Sequence, residues 1–369
     1  MPTIDFSRYY RYAELTDALK GFVEEYPTLA RLESIGKSYE GRDIWCMIIT
    51  NSATGSDDQK PAYWLDGNLH ATEVTGCMGA LHAINRLLSD YASDQSVKRL
   101  VDTRTFYIVP CINPDGMEQA LSTPLYLRSS TRPYPYAEEK DGLYPADVDG
   151  DGRILDMRIP DPDGDWKVSE KDPRLMRPRD PDEEGGQYYR IYKEGFIRNY
   201  DGYEIKIAPP AQGMDFNRNF PYAWVPESEE SGSGPYPLSE NETRAVVDFI
   251  IKHPNISCGI TYHTYSGVIL RPPSNVPDDS FPYEDLTIYK EMGERGKAIT
   301  GYPHTSVYHG FRYHPRQVMH GPFDDWAFDQ LGLFMFTVEL WDIVGEAGIK
   351  DRDFIGWIRK HPEEDDLKI

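Results

Sequence analysis

The sequence predicts an α/β fold, a single domain built on an open twisted sheet with helices on its faces. Short apolar runs typical of buried strands alternate along the chain with segments whose apolar residues recur at helical spacing. The chain of 369 residues is also 39% hydrophobic, which is enough to bury one large core. In an open α/β sheet, functional side chains gather at the carboxyl ends of the strands.

The individual elements follow from these patterns. Strands are predicted at 44–50, 62–69, 105–112, 257–262 and 333–340. Helices are predicted at 12–26, from 74 onward, from a cap at Ser239 through 251, at 285–300 and at 353–360. Residues 113–116, Asn-Pro-Asp-Gly, predict a turn.

A stretch from about 133 to 212 interrupts this alternation. It is rich in Pro, Gly, Asp, Tyr and Arg and has little helical periodicity. It predicts an inserted, loop-rich subdomain with short strands, within one domain that spans residues 1–369.

Net charge and hydropathy argue against nucleic acid and membrane as partners, and the cysteines argue against a disulfide-bonded frame. The net charge is −22, which argues against nucleic acid, because phosphate binding needs clustered Lys and Arg. No apolar run has the length of a membrane span, and the first residues lack a signal-peptide pattern. We therefore expect a cytoplasmic protein; the alternative is a secreted one from which a signal peptide was removed. The four cysteines lie in apolar runs or on a helix and are predicted to be buried free thiols.

A candidate metal site begins with His70 and Glu73. They stand three residues apart where a strand gives way to a helix, so an imidazole nitrogen and a carboxylate can point the same way and bind one zinc ion. His263 follows the run at 257–262 and is the candidate third ligand. Three protein ligands leave the fourth position open for water, whose pKa zinc lowers. The structural alternative is a helix-start glutamate with two hydrogen-bonded histidines.

Four further residues complete a candidate hydrolytic site. Glu339 ends an otherwise apolar strand and is the candidate general base, because a carboxylate is costly to bury there unless it is paired or used. Arg132 is a candidate to polarise a carbonyl and hold an oxyanion. Asn217 and Arg218 form a candidate carboxylate clamp, since a guanidinium offers two parallel charge-assisted bonds.

Taken together, the motifs resemble those of the zinc metallocarboxypeptidase family of the carboxypeptidase A/B type. The resemblance covers most of residues 8–345 and implies a mixed, mostly eight-stranded sheet with zinc on the three ligands above, water activated by the base, and the arginine and clamp in the roles proposed. The matching pieces, in chain order, are His70-Ala-Thr-Glu73, Asn113-Pro-Asp-Gly116, Thr131-Arg132, Asp215-Phe-Asn217-Arg218-Asn219-Phe220, His263-Thr-Tyr265-Ser266 and Thr337-Val-Glu339-Leu340.

The same resemblance bears on substrate choice. Asp324 aligns with the position at which an acid selects C-terminal Lys or Arg in the carboxypeptidase B branch; alternatively, it caps a helix that starts near Asp325. The tyrosine that the family carries on a mobile loop has no ungapped match, because Gln317 stands at that position. Tyr313 and Tyr308 are the candidates to replace it, and Tyr265 is a further candidate substrate-binding tyrosine.

The inserted stretch contains a candidate calcium loop. Asp147, Asp149 and Asp151 occupy alternate positions and a glycine follows at the sixth, as at the start of a calcium loop. Position twelve is Arg158 instead of a bidentate glutamate, and Asp156 is a candidate partial substitute. The alternative is a solvated acidic turn.

These observations predict a zinc exopeptidase that acts on peptides with a free C-terminus. An alternative within the hydrolases is a zinc amidohydrolase or deacylase acting on N-acyl amino acids or cell-wall peptides. An alternative of another class is a catalytically silent binding module. The retained Glu339 argues against the binding module, because a binder needs no general base.

Overall fold

A computed structural model describes residues 4–136, 138–350 and 352–369. Strands and helices lie on both sides of the inserted stretch. The strands are β1 Ala30–Lys37, β2 Asp43–Ile49, β3 Ala62–Gly67, β4 Thr105–Val109, β5 Gly142–Pro145, β6 Asp156–Pro160, β7 Trp166–Val168, β8 Met176–Pro178, β9 Tyr189–Lys193, β10 Gly195–Arg198, β11 Ile256–Thr264, β12 Val268–Arg271, β13 His304–Ser306 and β14 Phe334–Leu340.

The helices include several short ones near the end of the chain. They are α1 Tyr12–Glu25, α2 Val74–Ser89, α3 Gln95–Thr103, α4 Pro114–Ser122, α5 Asn241–Lys252, α6 Tyr283–Thr300, α7 Val307–Gly310, α8 Phe323–Leu331, α9 Ile343–Glu346, α10 Phe354–Arg359 and α11 Glu363–Asp366. Among the described residues, no helix is both long and apolar enough to cross a membrane.

The centre of the molecule is a mixed sheet of eight strands in the order β1-β2-β4-β3-β11-β14-β12-β13. Its middle strands β4, β3, β11 and β14 pair in parallel, and β1 and β2 run antiparallel to their neighbours. Strand β12 is antiparallel to β14 and parallel to β13. Because parallel strands end at the same edge, β3, β11 and β14 bring together the residues in or just after their carboxyl ends. The predicted α/β fold is confirmed.

Each face of the sheet is covered by its own hydrophobic core. Adjacent strand residues point to opposite faces, so Trp64 packs with α5 and α8, and Leu65 packs with α1 and α2. The four cysteines are free, and all but Cys258 are buried.

Two helix starts differ from the sequence predictions. The predicted turn at 113–116 is the first turn of α4, because the side chain of Asn113 accepts a bond from the amide of Gly116 and a proline is tolerated at the first helical position. Helix α5 begins at Asn241, and Ser239 does not cap it, since the Ser239 hydroxyl donates to the carboxylate of Glu240.

The inserted stretch forms two small sheets. One pairs β5 with β10, and the other has the order β6-β9-β7-β8. The strands are three to five residues long and joined by loops. The boundaries of the subdomain, 133 and 212, stay a prediction.

Candidate active site

Three side chains converge at the carboxyl end of the central strands. The Nδ1 atoms of His70 and His263 lie 3.0 Å apart. Each also lies close to one oxygen of the Glu73 carboxylate, at 2.9 Å for His70 and 2.8 Å for His263. All three side chains are buried, and the charges of the two histidines lower the pKa of Glu73 against the opposing effect of burial.

This donor set fits zinc. Two imidazole nitrogens and one carboxylate are the ligand types of a catalytic zinc site, and here all three aim at one point. The Nε2 atom of His70 lies 3.1 Å from Oδ1 of Asp215, so the outer nitrogen has a carboxylate partner and Nδ1 is left free for a metal. The three residues proposed as ligands from the sequence are therefore the three that the fold brings together.

A close approach of helix α2 to the sheet positions the first two ligands. A Cβ on Gly67 would lie 2.5 Å from the carbonyl oxygen of Gly76, and a Cβ on Gly76 would lie 2.8 Å from the carbonyl oxygen of Tyr262. Asn68 adopts a left-handed φ of 56°, and its side-chain amide donates to the carbonyl of His70 at 2.7 Å. The turn between β3 and α2 is thereby held tightly enough to aim both ligands.

Glu339 lies beside the three candidate metal ligands but is not one of them. It is directly opposite His263 in the parallel pairing of β14 with β11. Its Oε2 atom is buried and has no hydrogen-bond partner in the described part of the chain. Burial raises the pKa of Glu339 well above its usual range, the charge of Glu73 adds to the rise, and Arg128 opposes it. A carboxylate in this state is suited to accept a proton.

The structure places Arg132 away from this cleft. Its guanidinium pairs with the buried carboxylate of Glu240, with Nε 3.0 Å from Oε2. Arg128 instead lines the cleft, with Nη1 3.2 Å from Oε1 of Glu73 and Nε 2.9 Å from Oδ2 of Asp215. Arg128, and not Arg132, is therefore the one of these two arginines that lines the cleft. Arg128 was not identified from the sequence; it stands four residues before Arg132, and the two arginines differ in the acids they meet.

The candidate clamp residues both line the cleft. Asp215 caps the turn that carries them by accepting a bond from the amide of Asn217 at 2.8 Å. The Asn217 side-chain oxygen accepts a bond from the amide of Phe323, so its NH₂ group is directed elsewhere. Arg218 is buried; its Nε donates to Glu230 at 3.0 Å and Nη1 donates to the carbonyl of Asn217 at 2.8 Å. Glu230 was not identified from the sequence.

Asp324 forms a buried acidic end of the same cleft, whose volume is about 200 Å³. It accepts a bond from the hydroxyl of Thr337 at 3.2 Å. Burial raises its pKa to about 6, with the Thr337 bond opposing the rise. Helix α8 begins at Phe323 after Pro322, so Asp324 lies within the first turn and is not the N-cap. The capping alternative is therefore wrong.

Two of the three candidate tyrosines, Tyr265 and Tyr313, also line the cleft. Tyr265 is 44% exposed and stacks on Trp341, with ring centroids 5.5 Å apart. Burial raises the pKa of Tyr313, whereas the charges of Arg128 and Arg218 lower it. Tyr313 is 53% exposed.

The acidic loop of the inserted stretch is also formed. Oxygen atoms of Asp147, Asp149 and Asp151 lie within 4.8 Å of one another. Both oxygens of Asp147 accept bonds from loop amides, and Asp149 and Asp151 each accept one from an amide two residues later. These bonds are equally expected of a solvated acidic turn, so calcium stays a prediction.

Comparison with known proteins decides the family. A family model described as zinc carboxypeptidase, Peptidase_M14, matches residues 15–348. The chain belongs to the zinc carboxypeptidase family. The match includes both histidines, the glutamate ligand and the candidate base of the site described above.

Relatives of this zinc carboxypeptidase are distant. A zinc carboxypeptidase of Saccharothrix mutabilis subsp. capreolus is 34% identical over 118 residues, which is 32% of this chain and 27% of that protein. Carboxypeptidase B of Astacus astacus is 26% identical over 350 residues, 92% of this chain and 88% of that protein. The chain thus spans about a quarter of the first relative and most of the second.

Solved structures show the same fold. A carboxypeptidase A from Helicoverpa armigera superposes with a TM-score of 0.62 at 18% identity, over 99% of this chain and 72% of that one. The thrombin activatable fibrinolysis inhibitor gives a TM-score of 0.57 at 23% identity, over 91% of this chain and 69% of that one. These likenesses confirm the mixed eight-stranded sheet expected of the family.

Proposed function

We propose that this protein is a zinc-dependent carboxypeptidase that removes the C-terminal residue of peptides. One observation carries the proposal: the buried, unpartnered Oε2 of Glu339 faces the cleft that the His70, Glu73 and His263 donors share. A binding module would need the donors but would have no use for a carboxylate kept unpaired at a cost in desolvation.

Each residue of the site has its own part in the proposed reaction. When bound to His70, Glu73 and His263, zinc supplies Lewis acidity and lowers the pKa of a coordinated water. Glu339 takes a proton from the attacking water on Oε2 and returns it to the leaving nitrogen. Arg128 donates N–H bonds to the scissile carbonyl oxygen as negative charge develops there.

The clamp orients the substrate. The remaining N–H groups of Arg218 and the NH₂ group of Asn217 bind the terminal carboxylate of the peptide. Glu230 fixes the plane of the Arg218 guanidinium through the bond to Nε. A free C-terminus is then the feature that places the last peptide bond beside Glu339, which makes the enzyme an exopeptidase.

The side chain of the leaving residue enters the part of the cleft that ends at Asp324. A carboxylate whose pKa is about 6 is largely ionised at neutral pH and attracts a cation. We therefore propose a preference for C-terminal Lys or Arg. An apolar side chain would leave the buried charge unpaired and be rejected.

The direct test is digestion of a mixed peptide library by the zinc-loaded protein, with N-acyl amino acids in a parallel assay, followed by mass spectrometry of the products. The expected result is loss of single C-terminal residues, with Lys and Arg released first and peptides with an amidated C-terminus left intact. Release of acyl groups from N-acyl amino acids in preference to peptide cleavage would instead support the deacylase alternative and overturn the proposal.

A further inference from the structure

The last part of the chain forms one side of the catalytic cleft. Ile355 and Ile358 of α10 line the same cavity as Asp324 and the metal ligands. Ile355 is 8% exposed and packs in a cluster with Leu270 and Phe311, which also line the cavity. The family match ends at residue 348, so this wall is built by residues beyond it.

The segment around α10 is braced internally. The indole nitrogen of Trp357 donates to Oδ2 of Asp365 at 2.9 Å, and the ring of His361 stacks on Trp357 with centroids 4.3 Å apart. Arg352 pairs with Asp342, just after β14. Residues 352–366, here named the C-terminal segment, therefore form one unit fixed to the end of a central strand.

The inserted stretch holds the other end of the C-terminal segment. Glu363 is 9% exposed; it accepts a bond from the hydroxyl of Ser169 and pairs with Arg177 at 3.1 Å and Lys171 at 3.6 Å. These three partners lie on or beside β7 and β8. A carboxylate buried to this degree needs such partners, so the contact ties the two parts of the chain together.

We propose that the C-terminal segment is the outer wall of the side-chain pocket, that Ile355 and Ile358 set the size of the side chain admitted, and that the inserted stretch holds this wall through Glu363. The proposal rests on the carboxypeptidase function proposed above and names its specificity-determining residues. The isoleucines pack against the apolar stem of the leaving residue while Asp324 receives its charged end.

The test compares kcat/KM for peptides that differ only in a C-terminal Leu, Arg or Trp. Ile355→Ala opens the pocket and is expected to raise the Trp to Leu ratio about 10-fold, because a few methylene groups in an apolar pocket change discrimination by that order. Ile358→Trp, at a half-exposed position that tolerates the larger ring, is expected to lower the same ratio about 10-fold. Leu367→Ala, exposed and outside the cleft, is the control and leaves the ratio unchanged.

The tether is tested separately by hydrogen exchange. Glu363→Gln keeps a hydrogen-bond acceptor for Ser169 but loses the charge that pairs with Lys171 and Arg177. Exchange at residues 354–359 is expected to quicken at least 10-fold, and KM is expected to rise more than kcat falls. Glu364→Gln is the matched control, because Glu364 is exposed and Lys171 is its ion-pair partner in the described part of the chain. Equal exchange in both variants would reject the tether.

Different results would reject the carboxypeptidase function and the proposed wall. A wild-type protein that cleaves no peptide would reject the carboxypeptidase function, and calorimetric affinities for the same peptides then replace kcat/KM as the readout of the wall. Unchanged Trp to Leu ratios, in rate or in affinity, for folded Ile355→Ala and Ile358→Trp would overturn the inference. A shift of the ratio in opposite directions in the two variants supports it.

Discussion

Arg128 and Arg132 stand four residues apart and meet different acids. Arg128 reaches Glu73 and Asp215 at the metal site, whereas Arg132 pairs with Glu240. A guanidinium keeps its charge in either setting, so its function is decided by whether a substrate can reach it. At the residue scale, we therefore propose that Arg128 acts on the substrate and that Arg132 stabilises the fold.

Exchanging each arginine for alanine separates the two roles. Arg128→Ala is expected to lower kcat/KM by about 10²–10³-fold through loss of oxyanion stabilisation. Arg132→Ala is expected to leave kcat/KM unchanged but to lower the free energy of unfolding by about 1–3 kcal/mol, because Glu240 is left buried without its partner. Steady-state kinetics and urea unfolding of both variants check this. The reverse pattern would return the catalytic role to Arg132.

The candidate metal ligands were easier to identify from the sequence than the residues around them. His70, His263 and Glu339 each follow or end an apolar strand, and parallel strands in one sheet must bring such positions together. Arg128 and Glu230 lie in loops whose paths depend on contacts distant in sequence. The distance from Arg128 to Glu73 and the distance from Glu230 to Arg218 are set by tertiary packing, which leaves no local sequence pattern.

At the scale of elements, α8 controls the chemistry of the pocket. The helix begins at Phe323 and packs its aromatic face into the core with Trp326, which buries the carboxylate of Asp324 in its first turn. Burial raises the pKa of Asp324 from 3.8 to about 6. The folded protein therefore binds a proton here that the unfolded chain releases near pH 4, so stability falls as the pH rises from about 4 to above 6.

Asp324→Asn removes this pH dependence. The free energy of unfolding of the variant, relative to wild type, is expected to rise by about 2 kcal/mol between pH 4 and pH 7.5, since one pKa unit corresponds to about 1.4 kcal/mol and part of the shift lies below pH 4. Thr337 retains a hydrogen-bond acceptor in the amide. Urea unfolding of both proteins at the two pH values measures the difference. A difference that stays constant with pH would show that Asp324 titrates alike in the folded and unfolded states.

At the scale of the whole molecule, the eight-stranded sheet is a frame that carries the inserted stretch and the C-terminal segment. These two parts of the chain are joined at Glu363, beside the cleft. The long apolar strands of the frame were predictable because their burial leaves a sequence pattern. Strands β12 and β13, at one end of the sheet, have four and three residues, too few for a pattern. The contact between the inserted stretch and the C-terminal segment joins residues nearly 200 positions apart.

The proposed mechanism depends on Glu339 as the general base beside a three-residue zinc site. Glu339→Gln keeps the size and shape of the side chain but removes its capacity to accept a proton. The measurement is hydrolysis of a peptide ending in arginine, together with the zinc content of the same sample. The predicted result is one zinc ion per chain and a kcat reduced by about 10²–10⁴-fold. Unchanged hydrolysis by the zinc-loaded variant would contradict the claim.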